Sequence, residues 1–186
     1  MNPLLWTLVV VLLVAVAGFV ALNLAWRWAS RKKSLPCPSM LAWLLDAPWI
    51  QRLNGTQTTV DRLRLQPGER VLELGPGPGR LLVPVARRIL PDGEAVGIDI
   101  QAAMLRRLEN RVQREGLTNV TLIEGDAAQP HVAPDTFDVA FLCTVLGEIP
   151  DRAAARAQCF RALKPGGRPA ITEMAGDPHY QSRTTV

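Results

Sequence analysis

The chain has 186 residues, room for one domain, and its 48% apolar content is inflated by 26 N-terminal residues without a charged side chain. The net charge of +4 is local: Arg27, Arg31, Lys32 and Lys33 supply it, and beyond Ser34 17 basic residues face 17 acidic ones. That balance gives no electrostatic case for a nucleic-acid partner. Cys37, Cys143 and Cys159 lack Cys-x-x-Cys spacing and His131 and His179 lie far apart, so neither a disulfide framework nor a metal site is suggested.

Residues 4–26 are apolar apart from Thr7 and Asn23. As a helix they would extend about 35 Å, against a hydrocarbon core of about 30 Å. Trp6 at one end and Trp26 and Trp28 at the other fit interfacial aromatics, and the basic collar predicts a cytoplasmic C-terminal side. The rival is a cleaved signal peptide at Ala15-Val16-Ala17, but the run continues past that point and no basic segment precedes it. The expectation is a single-pass transmembrane anchor over residues 1–28, with a collar that attracts anionic headgroups.

Residues 29–68 read as a juxtamembrane linker with short lid helices. Pro36, Pro38 and Pro48 break the segment, and Met40-Leu41-Ala42-Trp43-Leu44-Leu45 and Trp49-Ile50 either pack under a sheet edge or cover a pocket. Cys37 reads as a free thiol, with acylation as the alternative. A short helix over residues 56–65 starts at a Thr56 cap and ends before Gln66-Pro67-Gly68.

Alternation of strands and helices follows. Strands are expected at residues 70–74, 95–99, 120–123, 137–143 and 169–173, and helices at 80–90, 101–115 and 151–163. The second helix places Met104, Leu105, Leu108 and Val112 on one face, and Gly116 stops it. Asp151 caps the third, which closes at Lys164-Pro165-Gly166-Gly167. Such alternation implies an α/β fold with a parallel sheet and right-handed crossovers.

The first strand ends in Glu73-Leu74-Gly75-Pro76-Gly77-Pro78-Gly79. Glycines at a strand-to-helix turn let a ligand approach bare backbone, and the helix N-terminus offers free N–H groups. The dinucleotide fingerprint wants a third glycine where Arg80 stands. The two-residue glycine spacing instead resembles motif I of the class I S-adenosylmethionine (SAM) dependent methyltransferases. Asp99 ends the second strand, Glu124-Gly125-Asp126-Ala127 follows the third, residues 135–143 resemble the family's fourth-strand segment, and Leu163-Lys164-Pro165-Gly166-Gly167 its turn into strand five.

The resemblance covers residues 69–173 and implies a Rossmann-like sheet of order 3-2-1-4-5 with helices on both faces and SAM as cofactor. Gly75, Gly77 and Gly79 would lie against the methionine and ribose, and Glu73 would engage the methionine amino end. Asp99, with Ile100 beside it, would hold the ribose; Asp126 and Ala127 would face the adenine; Cys143 would border the methionine. Glu148, Glu173, His179 and Tyr180 are the candidates for a general base, and none is assigned. The adenine-methylating signature is absent at Leu142-Cys143-Thr144-Val145. That absence and the balanced charge argue against a nucleic-acid substrate, and the expected anchor, with the membrane as partner, points to a small lipid-like or hydrophobic acceptor.

The methyltransferase domain is expected over residues 69–186, where too few residues follow strand five for the family's last two strands. Strand five would then be an edge open to pairing with another chain. The alternative function is a truncated or degenerate SAM-binding membrane protein without its own activity, and a nucleotide-binding oxidoreductase is disfavoured by Arg80.

Overall fold

A computed structural model describes residues 3–33 and 55–173. The first element is a helix, α1 (Pro3–Lys33). Its expected role as a transmembrane anchor is corrected: among the described residues no helix is long and apolar enough to cross a membrane. The single-pass localisation and the membrane as partner rested on that span and are withdrawn with it. Residues 34–54, which hold Cys37 and the expected lid helices, lie outside the described residues, as do His179, Tyr180 and the stretch in which two further strands were expected to be missing.

Helix α2 (Thr56–Arg62) is shorter than the expected 56–65, and its cap is Gly55 rather than Thr56. The Gly55 carbonyl takes the Thr59 N–H at 2.9 Å and the Thr59 hydroxyl at 3.1 Å, so the threonine acts from inside the helix.

Five strands follow: β1 (Arg70–Leu74), β2 (Glu94–Asp99), β3 (Val120–Glu124), β4 (Phe137–Cys143) and β5 (Leu163–Thr172). They form one parallel sheet in the order β3-β2-β1-β4-β5, the order implied by the resemblance. The connecting helices are α3 (Leu82–Arg88), α4 (Ala102–Arg114) and α5 (Arg152–Ala162). Strands β1 and β4 are apolar nearly throughout because both of their faces are covered. One face packs Val71, Val139, Phe141 and Cys143 against Val60 of α2, Leu82, Val85 and Ala86 of α3, and Leu108 and Val112 of α4. The other packs Leu72, Leu74, Val96, Ile98 and Leu142 against Ala155, Cys159 and Ala162 of α5. Burial pushes the Cys159 thiol up to about 12. Asp151 caps α5 as expected, its carboxylate accepting the Ala154 N–H at 2.9 Å.

The start of β5 departs from the expectation. It pairs from Leu163, which sits opposite Phe137, and Arg168 sits opposite Val139. Five residues advance on β5 while two advance on β4, so Lys164-Pro165-Gly166-Gly167 loops out within the strand instead of preceding it. Ion pairs gather at the amino ends of the strands: Arg70–Glu94, Lys164–Asp138 and Arg168–Glu69, each at 2.8 Å. Arg70–Glu94, the exposed one of the three, contributes about 0–1 kcal/mol. The carboxyl ends carry a different chemistry.

Candidate functional site

At the carboxyl end of β1 the chain turns through Gly75, Gly77 and Gly79, all in the left-handed region. Two of them show why no side chain serves. At Gly79 (φ +89) an added Cβ would run into Leu108 of α4 and come within 3.2 Å of Val83. At Gly77 (φ +53) an added Cβ would meet nothing within 4 Å, so the loop backbone there faces open space. Tight packing beneath and vacancy above is the geometry of a cradle.

Asp99, at the end of β2, is part of that loop. Its Oδ2 accepts the Gly77 N–H and its Oδ1 the Gln101 N–H, both at 2.9 Å. The side chain is buried, which raises its pKa, while the two N–H bonds oppose the rise. Each oxygen keeps a second lone pair for a hydroxyl donor. Ile100, next to it, is 62% exposed and presents an apolar surface at the mouth of the cradle. The β1–β2 register places Leu74 beside Ile98, and the Gly75 N–H donates to the Ile98 carbonyl at 2.8 Å, which locks loop to strand.

Glu73 lies under the loop and is 2% exposed. Burial pushes its carboxyl up to about 8; the Arg80 guanidinium and the Leu82 N–H oppose this, and Asp99 adds to it. Its Oε2 is buried and has no hydrogen-bond partner among the described residues. Cys143 ends β4 on the same sheet face, and its Sγ accepts from Arg80 Nη2 at 3.2 Å. Burial raises the thiol pKa, so the sulfur is neutral near pH 7.

Asp126 sits further out, after β3. It is exposed, and its Oδ1 accepts the Ala128 N–H at 2.8 Å, which shapes the turn that contains Ala127. The Gly125 N–H donates to the Asp99 carbonyl at 3.1 Å, so this turn borders the Asp99 turn. All nine sequence-predicted residues thus stand at the carboxyl ends of four adjacent strands, where open α/β sheets bind ligands. Of the base candidates, Glu148 lies in a 3-10 turn (Leu146–Glu148) after β4 and Glu173 just beyond β5, both half-buried. Among the described residues no group of three His, Cys, Asp or Glu is placed to hold a metal ion.

Sequence reasoning missed three residues of the site. Arg80 was read only as a misplaced glycine, yet it joins the loop to Cys143 and, through Nη1, to Thr56 Oγ1 at 3.4 Å. Thr144 takes a left-handed φ of 55 just past β4, an outlier for a β-branched residue, and its hydroxyl donates to the Cys143 carbonyl at 2.7 Å. Gly97 in β2 faces Leu82 and Pro76, which would stand 2.7 and 3.0 Å from an added Cβ. The first was visible as a charge beside the loop; the other two leave no local signature.

A family model described as a methyltransferase domain matches residues 71–167. Nocamycin O-methyltransferase of Saccharothrix syringae is 33% identical over 71% of this chain and 48% of its own length. Demethylmenaquinone methyltransferase of a Geobacillus species is 29% identical over 66% of this chain and 53% of its own. The chain thus spans about half the length of these curated relatives. A SAM-dependent methyltransferase from Aquifex aeolicus shares the fold, with a TM-score of 0.67, 23% identity, and coverage of 73% of this chain and 72% of that one.

Proposed function

The chain belongs to the class I SAM-dependent methyltransferases, and on that premise we propose that it transfers a methyl group from SAM to a small hydrophobic or lipid-like acceptor. The observation that carries the reading is the junction of Gly77 and Asp99, a bare backbone cradle tied to a carboxylate with lone pairs to spare. The residues present fit the cofactor. The orphaned Glu73 Oε2 suits a cationic methionine end, the open space over Gly77 leaves room for the sugar, and exposed Ile100 offers an apolar surface to a base.

When bound, SAM supplies a methyl group on a positively charged sulfur, already electrophilic, so alignment matters more than activation. In this reading Glu73 receives the amino end, Gly75, Gly77 and Gly79 line the methionine and ribose, and Asp99 accepts the ribose hydroxyls. Asp126 and Ala127 border the adenine, and Cys143 the methionine side. No general base is assigned; one is needed only when the acceptor must lose a proton. The acceptor class is supported by the demethylmenaquinone methyltransferase relative, whose named substrate is a quinone.

Calorimetric titration of the full chain with SAM and with NAD tests the cofactor. Micromolar SAM binding and none for NAD is expected, and the reverse would end the proposal. Transfer of labelled methyl from SAM to a demethylated naphthoquinone, absent in an Asp99→Ala control, tests the acceptor class.

A second reading is SAM binding without independent turnover, the sheet being completed by a strand of another chain on β5. It is favoured by one observation: among the described residues β5 is bonded to β4 on one side and to no strand on the other. SAM binding with no transfer to any hydrophobic acceptor, together with a second chain retained in light scattering, would select it.

A further inference from the structure

Arg80 has no role in the reading above, yet its guanidinium spans three elements. From the end of the glycine loop it donates to Thr56 Oγ1 at the start of α2 and to Cys143 Sγ at the end of β4. Both anchors are neutral, so the charge is held in place without being cancelled. The β1–β4 register sets Glu73 beside Phe141, which puts Glu73 and Cys143 on one face of the sheet. The titratable and charged groups that bear on this spot are Arg80 from the loop, Asp99 from β2, Cys143 from β4 and, acting on Cys143, Glu173 beyond β5. Arg80 is the one cation in that set. A buried carboxylate is costly when isolated, and a neighbouring opposite charge favours its ionised form.

We propose that Arg80 is a positioning residue for the cofactor: braced on Thr56 and Cys143, its guanidinium draws the Glu73 carboxyl towards the charged form that receives the positively charged amino end of SAM. The inference rests on the reading that SAM binds through Glu73. Burial holds Glu73 at about 8, and Arg80 is the main force lowering it. Cofactor affinity therefore rises with pH up to about 8, where the SAM amino group begins to lose its own charge, and without Arg80 the affinity over that range is lower.

Titration of the full chain with SAM across about pH 6.5 to 9.5 tests this. In Arg80→Met the rise in affinity should be displaced upward by about one pH unit, giving about a tenfold loss near neutrality. Arg80→Lys, which keeps the charge but loses the fork, should recover most of it. In a Glu73→Gln background the rise below about pH 8 should vanish, leaving only the alkaline loss from the SAM amino group, and Arg80→Met should add no further loss. A uniform loss at every pH, or the same loss in the Glu73→Gln background, overturns the proposal. Thr56→Val, which releases one brace without touching the loop, serves if Arg80→Met does not fold. A smaller displacement in the same direction supports the proposal, and none overturns it. Failure of the native chain to bind SAM at any pH is a different result, which removes the cofactor reading and this inference together.

Discussion

The Gly77 N–H and Asp99 Oδ2, 22 positions apart, stand 2.9 Å apart and join the glycine loop to the end of β2. Asp99→Ala removes the acceptor of both the Gly77 and Gln101 N–H groups. The expected cost is about 2–4 kcal/mol of stability, read from urea unfolding, with at least about a tenfold loss of SAM affinity. Asp99→Asn should fall between: one oxygen remains, but its NH₂ opposes a backbone donor.

The glycines separate folding from binding. Gly79→Ala drives a methyl into Leu108 in a left-handed backbone, and should lower stability by about 2–3 kcal/mol. Gly77→Ala meets open space, so only the backbone conformation is penalised, by about 1 kcal/mol. Its methyl projects into the cradle, so SAM binding should suffer more than stability. Equal losses of stability in the two variants would count against the cradle.

Glu73 makes stability depend on pH. Its carboxyl is raised from 4.5 to about 8 in the fold, so the folded chain holds a proton that the unfolded chain has released. This stabilisation is complete below the unfolded value of 4.5 and lost once pH has risen through about 8. Stability should fall across that window by about 1.4 kcal/mol per pH unit from this group. The dependence of the denaturation midpoint on pH, measured from about pH 5 to about pH 9, should flatten in Glu73→Gln.

Thr144 carries backbone strain at the cradle's edge. Thr144→Gly removes the left-handed penalty and the short bond to the Cys143 carbonyl together, and should raise stability by about 1 kcal/mol. If the strain serves alignment, methyl transfer should fall while SAM affinity stays unchanged, a split that transfer assays and calorimetry would separate.

The parts of the fold legible in sequence were those written in short-range pattern. Met104, Leu105, Leu108 and Val112 recur at helical spacing, and all four are buried. Asp151 sits where a cap must sit, and it caps. The strand order and the positions around the loop were implied by the family resemblance that the motifs carry. What was not legible depends on residues far apart in the chain. The excursion at residues 164–167 is set by the register of β5 on β4, which no local pattern encodes. Arg80 looked like an error in a glycine motif until Thr56 and Cys143 stood beside it. The N-terminal helix shows the opposite failure: an apolar composition was read as a membrane span, and composition alone did not establish one.

Gly97 has a consequence for how this sequence can drift. Leu82 and Pro76 close over it, so an alanine there needs a smaller neighbour at 82 or a loop without the proline ring. The three positions, in β2, α3 and the glycine loop, are therefore expected to covary among descendants of this gene. Substitutions at any one of them should survive in a mutational library mainly alongside a change at another.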